Sequence, residues 1–258
     1  MKALGRILAI AMNTVREAIR HRVLYTLLFF ALALIGTGVL LSTLSYVESD
    51  RILQDVGFAA IRIFAVAIAI FVGIGLVHRE VDRRTIFTIL SKPISRSEFL
   101  LGKYAGLLLT LWLQIGVMSL GFAAISWLSG APLTVTHAAA LALIGVEVAI
   151  VVAIALFFSA FTSPMLASLF TAALWLIGHL SRDLRNLGAQ SDLASIKRAT
   201  ELLYRALPDL GAFDLTVHAA RSVPIALSDV VLPVVYAVGY AAVVLIAATW
   251  VFERRDFR

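Results

Sequence analysis

The chain has 258 residues and a formal net charge of +6; 61% of its residues are hydrophobic and only 15% are charged. Its mean hydropathy of +0.96 excludes an ordinary soluble domain, which could not cover its surface with so few polar side chains. A bilayer accepts this composition, so a membrane protein is predicted. The absence of cysteine excludes disulfides and thiolate metal sites. Because the basic residues lie beside apolar stretches, anionic lipid is favoured over nucleic acid as a partner.

The first segment, 1–22, is predicted to be an amphipathic elbow helix on the inner leaflet, because a cationic amphipathic helix leads directly into an apolar span. A simple positive anchor that sets topology is the alternative. The following run is too long for a cleavable signal and is expected to be retained. The polar face carries Lys2, Arg6, Asn13, Arg16, Glu17 and Arg20, and the apolar face carries Leu4, Ile7, Leu8, Ala11, Met12, Val15, Ala18 and Ile19.

Six stretches are long and apolar enough to cross a hydrocarbon core about 30 Å thick. Their continuous apolar character predicts helices rather than barrel strands, so the predicted fold is an all-α polytopic membrane protein with a single transmembrane domain over 1–258. The predicted spans are 23–45, 61–77, 104–128, 138–161, 165–181 and 230–252.

The distribution of lysine and arginine predicts that both termini are cytoplasmic. With the termini inside, the inside segments 1–22, 78–103, 162–164 and 253–258 carry 14 of these residues. The short outside segments 46–60 and 129–137 carry only Arg51, whereas the long 182–229 segment counts little. The expected location is therefore a bacterial inner membrane.

The cytoplasmic loop 78–103 has more pattern than a simple connector needs. A short apolar segment precedes Pro93, which stops a helix, and Ser95 and Glu98 then match the capping box that begins the next one. Gly102 and Gly106 follow as a pair of small residues that permits close helix packing. The pattern predicts an element that protrudes and is gripped by a soluble partner, with a charged connector as the alternative.

The outer segment 182–229 is longer than two adjacent spans require. Asp192 is predicted to cap an amphipathic helix over 192–207, with Pro208 just beyond its end. The residues after Pro208 are too apolar for a disordered stretch. A compact helical extracytoplasmic cap is therefore expected.

Glu147 is the one acidic residue in the middle of a predicted span. Intramembrane ionisable groups usually face a bundle interior or a water-filled path, so either a transport pathway role or an interhelical packing role is open. In a simple hairpin, Glu147 would lie level with Met118 and Ser119. No nucleotide-binding glycine loop, metal-ligand spacing or hydrolase triad occurs, so no catalytic site, metal site or bound cofactor is expected.

The cytoplasmic loop also carries a family resemblance. The runs Glu80–Ile86, Leu90–Arg96 and Glu98–Tyr104 resemble ABC-2 type permeases, closest to the subgroup associated with multicopper-enzyme maturation. Arg84 stands where many members have glycine, although arginine is frequent in this subgroup. The match is specific over about 25 residues, and the absence of Met or Cys clusters gives no support for a copper role.

This resemblance implies a permease dimer, each copy docked on a separate ATPase subunit that binds ATP and Mg²⁺. The loop would be the coupling helix, and movement would be export from the cytoplasm or the inner leaflet. A homodimer is expected, and a periplasmic accessory protein is a further candidate partner. The implied ATPase-coupling residues are Glu80, Asp82, Arg83, Arg84, Thr85, Ile86, Phe87, Leu90, Lys92, Pro93 and Arg96.

Two other functions are compatible with the residues. A membrane scaffold could transmit ATPase motion to periplasmic partners without moving a substrate. An ion-coupled carrier could work through Glu147, but such carriers are expected to show internal repeats and broken helices, which the sequence lacks. The apolar spans contain no pattern that identifies a substrate.

Overall fold

The computed structural model describes residues 2–44, 48–82, 95–191, 193–220 and 223–254. Within these ranges the chain contains no strand, which confirms the predicted all-α fold. A 3₁₀ turn, Leu210–Phe213, lies between the seventh and eighth of nine helices in the described ranges. These helices are α1 Lys2–Ile19, α2 Arg22–Ser42, α3 Ser49–Asp82, α4 Arg96–Leu128, α5 Val135–Ser159, α6 Pro164–Ala189, α7 Ala194–Ala206, α8 Thr216–Ala220 and α9 Ser228–Arg254.

Six of the helices in the described ranges are long and apolar enough to cross a membrane: α2, α3, α4, α5, α6 and α9. The predicted six-span architecture is therefore confirmed. The predicted spans 61–77 and 165–181 are the apolar parts of much longer helices, since α3 has 34 residues and α6 has 26. Both helices continue into polar sequence, which hydropathy alone cannot assign to a helix.

Helix α5 is the centre of the bundle. It packs against α3, α4, α6 and α9, whereas α2 packs mainly on α3 and α1 packs mainly on α4. Within the apolar window of α5, 67% of the residues are buried, against 17% for α9 and 22% for α2. The central helix is thus shielded by its neighbours, and the outer helices present apolar side chains to the surroundings.

The connection between α4 and α5 folds back along α4. Ala131 N donates to Ser126 O at 3.0 Å, and the Ser126 hydroxyl also donates to Ala131 O. Further along the hairpin, Trp112 Nε1 donates to Gly145 O at 3.0 Å, which fixes the register of the two helices. Glu147 therefore lies level with residues near 110. The expected position beside Met118 and Ser119 is wrong by about two helical turns, because the fold-back shifts α5 along α4.

The apolar side of α1 is divided between two surroundings. Ala11, Thr14 and Ala18 are buried against α4, whereas Leu4 and Leu8 are 73% and 66% exposed. The sequence expectation that α1 has one polar face and one apolar face is therefore incomplete. The helix has a packing face, an exposed apolar face and a polar face.

The segment between α6 and α9 contains two different parts. Helix α7 is amphipathic but contains no buried residue, and Leu202 is 67% exposed. In contrast, Leu210, Phe213 and Ala219 are fully buried in the bundle core. Leu193 occupies the N-cap position of α7, while the predicted cap Asp192 lies outside the described residues.

Candidate functional site

Most of the predicted coupling residues fall between α3 and α4. Glu80 and Asp82 lie in the last turns of α3, and Arg96 is the first residue of α4. The described residues resume at Ser95, directly before α4. Outside the described ranges lie Arg83, Arg84, Thr85, Ile86, Phe87, Leu90, Lys92 and Pro93.

Helix α4 begins with a reciprocal capping box. The Ser95 hydroxyl accepts a hydrogen bond from Glu98 N at 3.2 Å, and Glu98 Oε2 accepts one from Ser95 N at 3.1 Å. Two backbone donors that the first turn would leave unpaired are thereby satisfied. Helix α4, which follows residues 83–94 in the sequence, therefore has a capped N-terminus.

Helix α1 crosses the first turns of α4 at close range. A Cβ atom placed on Gly106 would lie 2.6 Å from Ala11 O, and one on Gly102 would lie 2.7 Å from the Ile10 side chain. Only glycine permits this approach, because any other side chain would collide with α1. Arg6 adds a charged contact across the crossing, since its Nε donates to Glu98 Oε2 at 3.0 Å.

A second charged contact lies further along the same crossing. Lys103 Nζ is 3.6 Å from Glu17 Oε2, and Lys103 is only 1% exposed. A buried ammonium needs a compensating partner, and Glu17 supplies a carboxylate where α1 covers Lys103. The α1–α4 contact is therefore specified by charge as well as by shape.

The C-terminal end of α9 meets the same turns of α4. Arg96 donates from one guanidinium nitrogen to Phe252 O at 2.7 Å and to Glu253 O at 2.9 Å. These carbonyl groups are among the last of α9, where a cation is favourable to the helix dipole. The Phe99 and Phe252 rings stack with centroids 6.2 Å apart. We call the contact of α1, residues 95–106 and the end of α9 the proximal junction.

A second group of polar contacts lies in the bundle core, centred on Glu147. The Glu147 side chain is fully buried, and its Oε1 accepts a hydrogen bond from Trp175 Nε1 at 2.8 Å. Arg62 Nε lies 3.4 Å from Glu147 Oε2, and His179 Nε2 lies 3.6 Å from Glu147 Oε1. Helices α3, α5 and α6 therefore converge on one carboxyl group.

Asp214 completes this group from the stretch between the 3₁₀ turn and α8. Arg62 Nη1 lies 2.9 Å from Asp214 Oδ2, and Arg62 Nη2 donates to Asp214 Oδ1 at 3.0 Å. Burial raises the pKa of Asp214, but the hydrogen bond and charge of Arg62 outweigh burial and hold that pKa well below its ordinary value. We call Glu147, Arg62, Asp214, Trp175 and His179 the buried ion cluster.

The buried ion cluster joins three long helices to the segment that precedes α9. One guanidinium group faces two carboxylates, so Arg62 compensates charge on both α5 and the 214–216 stretch. Leu210 packs over Gly178, close to His179, and thereby holds the same segment against α6. This arrangement can fix the positions of helices; within the described residues, no group of three His, Asp or Glu side chains could hold a metal ion.

The sequence indicated only one member of this cluster. Glu147 is recognisable as an acid within an apolar span, but the sequence patterns do not bring Arg62, Asp214 and His179 into the same site. A usable signal did exist. A lone arginine within the apolar part of α3 requires an anionic partner, and Trp175 and His179 are spaced to lie on one face of α6.

Comparison with known families supports the architecture. The model for the family described as ABC-2 family transporter protein matches residues 8–257, nearly the whole chain. A comparison with curated proteins found no match. The family match and the six apolar helices identify a transmembrane transport component of the permease type. The chain belongs to the ABC-2 family of transporter proteins.

Proposed function

We propose that this chain is the membrane permease subunit of an ATP-driven exporter and that residues 78–103 couple it to a separate ATPase subunit. The observation that carries the proposal is the proximal junction, where the helix that follows this loop is held on two sides. Its capping box starts α4 firmly, and both α1 and the end of α9 contact its first turns.

The junction supports mechanical coupling because a frayed helix end would absorb a push applied at the loop. The apolar tip Ile86–Leu90 enters a groove on the ATPase, and the flanking charged residues orient it, since rim charges set register more than affinity. Movement of the tip is carried into α4. Helices α1 and α9 move with α4 because Arg6, Glu98 and Arg96 tie them together.

The complete transporter contains two permease copies and two ATPase subunits, with ATP and Mg²⁺ bound by the ATPases. Both termini face the cytoplasm of a bacterial inner membrane, and a substrate moves outward from the cytoplasm or inner leaflet. The orientation of the termini is supported by the basic residues of segments 1–22, 78–103 and 253–258. The substrate path is formed by the permease dimer.

Glu147 serves packing in this proposal. It is fully buried and faces Arg62, so its charge is compensated from within the bundle. An ion-coupled carrier would need an acid that exchanges its proton with water on each side. The close partners of Glu147 favour a fixed interhelical contact over that role.

The coupling proposal is tested by placing a charge on the loop tip. Phe87→Asp or Leu90→Asp would bury an unpaired carboxylate in an apolar groove, which costs about 2 kcal/mol or more. We expect either variant to reduce ATPase co-purification at least tenfold while the permease still inserts in the membrane. Pull-down of the ATPase and ATP turnover in nanodiscs measure the effect.

Leu202→Asp is the matched control, because Leu202 is an exposed apolar residue on α7, remote in sequence from the loop. It should leave ATPase binding unchanged. Normal ATPase binding and turnover in both loop variants would show that this loop is not the coupling element.

The packing role of Glu147 is tested by Glu147→Gln. Glutamine keeps an acceptor for Trp175, and Arg62 retains Asp214 as its charged partner. We expect assembly and substrate-stimulated ATP turnover within about twofold of wild type, since about 0.4 kcal/mol corresponds to a factor of two. Loss of turnover in a variant that folds and assembles normally would instead assign Glu147 to the transport step.

A further inference from the structure

A cationic cavity lies in the corner between α1 and α2. Its volume is about 720 Å³, and it is bounded by the last turns of α1 and the first residue of α2. The described residues that line the cavity are Asn13, Arg16, Glu17, Arg20, His21 and Arg22. It shares Glu17 with the proximal junction, but neither that junction nor the buried ion cluster uses the arginines of the cavity, Arg16, Arg20 and Arg22.

The arginines around this cavity differ from most other arginines that the structure describes. Within the described residues, the guanidinium groups of Arg16, Arg20 and Arg22 make no hydrogen bond, ion pair or ring contact. Arg198 on α7 is similar, but each remaining described arginine side chain has a carboxylate, carbonyl or aromatic partner. Examples of such partners are Glu98 for Arg6, Asp214 for Arg62, Asp209 for Arg182, Glu201 for Arg185 and Trp250 for Arg254.

Glu17, the acid among the described lining residues, forms no ion pair with these arginines. Glu17 Oε2 is instead 3.6 Å from Lys103 Nζ, which is buried under α1. Among the described residues, three like charges therefore surround one cavity, and the carboxylate of Glu17 already faces Lys103. Guanidinium groups bind phosphate oxygens through paired hydrogen bonds, so a phosphate-bearing anion matches this set.

The surroundings of the cavity favour a lipid over a free anion. Helix α2 begins at Arg22 and presents Tyr25, Phe29 and Phe30 as exposed apolar residues within its first turns. On the other side, α1 presents Met12 and Ile19 as exposed apolar residues. A phospholipid can fill a cationic cavity with its headgroup while its acyl chains cover such apolar side chains.

We propose that the α1–α2 corner is a binding site for the phosphodiester headgroup of an anionic phospholipid. Arg16, Arg20 and Arg22 hold the phosphate oxygens, and the acyl chains lie against the exposed apolar face of α2. The bound lipid ties α1 to α2 and so helps to keep α1 in place over Gly102 and Gly106. The proposal concerns this site alone and does not depend on the direction of transport.

The test uses the full-length permease in detergent with short-chain phosphatidylglycerol, short-chain phosphatidylcholine or inorganic phosphate. Phosphatidylglycerol should raise the thermal unfolding midpoint in a saturable manner, and phosphatidylcholine should raise it far less. In Arg16→Gln/Arg20→Gln, the half-saturating concentration of phosphatidylglycerol should rise at least about tenfold, because charge-assisted hydrogen bonds are lost. Arg22 is left in place so that positive charge remains beside the first span.

Lys197→Gln/Arg198→Gln is the matched control, because it removes two neighbouring cations from α7 and should leave the phosphatidylglycerol response unchanged. Arg16→Lys/Arg20→Lys keeps the charge but loses the paired hydrogen bonds, so an intermediate response is expected. If Arg16→Gln/Arg20→Gln folds poorly, the half-saturating phosphatidylglycerol concentration of Arg16→Lys/Arg20→Lys still tests the proposal.

Three outcomes would overturn the proposal. One is an equal phosphatidylglycerol response in wild type and Arg16→Gln/Arg20→Gln. Another is an equal response of wild type to inorganic phosphate at the same concentration, which would assign the cavity to a free anion. The third is that Arg16→Gln/Arg20→Gln keeps the wild-type lipid response but no longer co-purifies with the ATPase. This result would assign the cavity to an acidic surface of the ATPase.

Discussion

The proximal junction and the buried ion cluster both rely on arginine, but they place it in different surroundings. At the junction, the Arg6 side chain is 36% exposed, and Arg96 binds carbonyl oxygens at the end of a helix. In the cluster, the Arg62 side chain is 12% exposed and faces a carboxylate with no exposure at all. Exposed ion pairs contribute little net stability, whereas breaking a buried one is costly. The arginine contacts of the junction therefore set orientation, whereas the arginine contacts of the cluster contribute more to the stability of the bundle.

The largest expected effect comes from Arg62→Met, which leaves Glu147 buried without a cation and Asp214 without its partner. We expect a loss of about 3–5 kcal/mol in the free energy of unfolding, the usual cost of breaking a buried ion pair. Denaturation by sodium dodecyl sulfate, followed by tryptophan fluorescence, measures the loss.

Arg51→Met provides the control for this prediction. Arg51 lies on the same helix, but its pair with Glu48 is largely exposed, so the expected loss is under about 1 kcal/mol. Equal losses in the two variants would remove the distinction between buried and exposed arginine on which the comparison depends.

An intermediate effect is expected at the α1–α4 crossing. In Gly106→Ala the new Cβ atom would lie 2.6 Å from Ala11 O, so the backbone of α1 must move away. We expect a loss of about 1–3 kcal/mol, as for other overpacked contacts, and increased protease cleavage of α1. Limited proteolysis and thermal unfolding report the two effects.

Gly116→Ala on the same helix tests whether shape or helix propensity is responsible. No atom lies within 4 Å of a Cβ placed on Gly116, so this variant should be neutral or more stable by up to about 1 kcal/mol. If both alanine variants were stabilising, α1 would not be held at the distance described.

The smallest effect is expected from Ser95→Ala. Loss of one cap hydrogen bond should cost about 1 kcal/mol and speed hydrogen exchange of the Glu98 amide, while Arg6 still holds the Glu98 side chain. Coupled ATP turnover should fall without loss of the ATPase. Ser97→Ala removes a neighbouring hydroxyl without removing the cap, and equal exchange rates in the two variants would argue against a role for the cap.

The parts of this fold that sequence predicts are those set by local composition. The six apolar helices follow from hydropathy, and the reciprocal contact of Ser95 and Glu98 follows from spacing within one turn. The partners of Glu147 do not follow in this way, because Arg62 and Asp214 are distant in sequence and meet only through packing. The level of Glu147 along α4 also differs from the sequence expectation, since the fold-back at Ser126–Ala131 cannot be read from apolar run lengths.

The pairing of Arg62 with Asp214 has a consequence for biosynthesis. The two residues are 152 positions apart, so at 5–20 residues per second Arg62 is made about 8–30 s before its strongest partner. Until Glu147 is made, α3 must enter the bilayer with an uncompensated guanidinium or wait beside the insertion machinery, and until Asp214 is made Arg62 has only Glu147 as a carboxylate partner. Nascent chains that end before residue 214 should therefore hold α3 less firmly in the membrane than chains that extend past it.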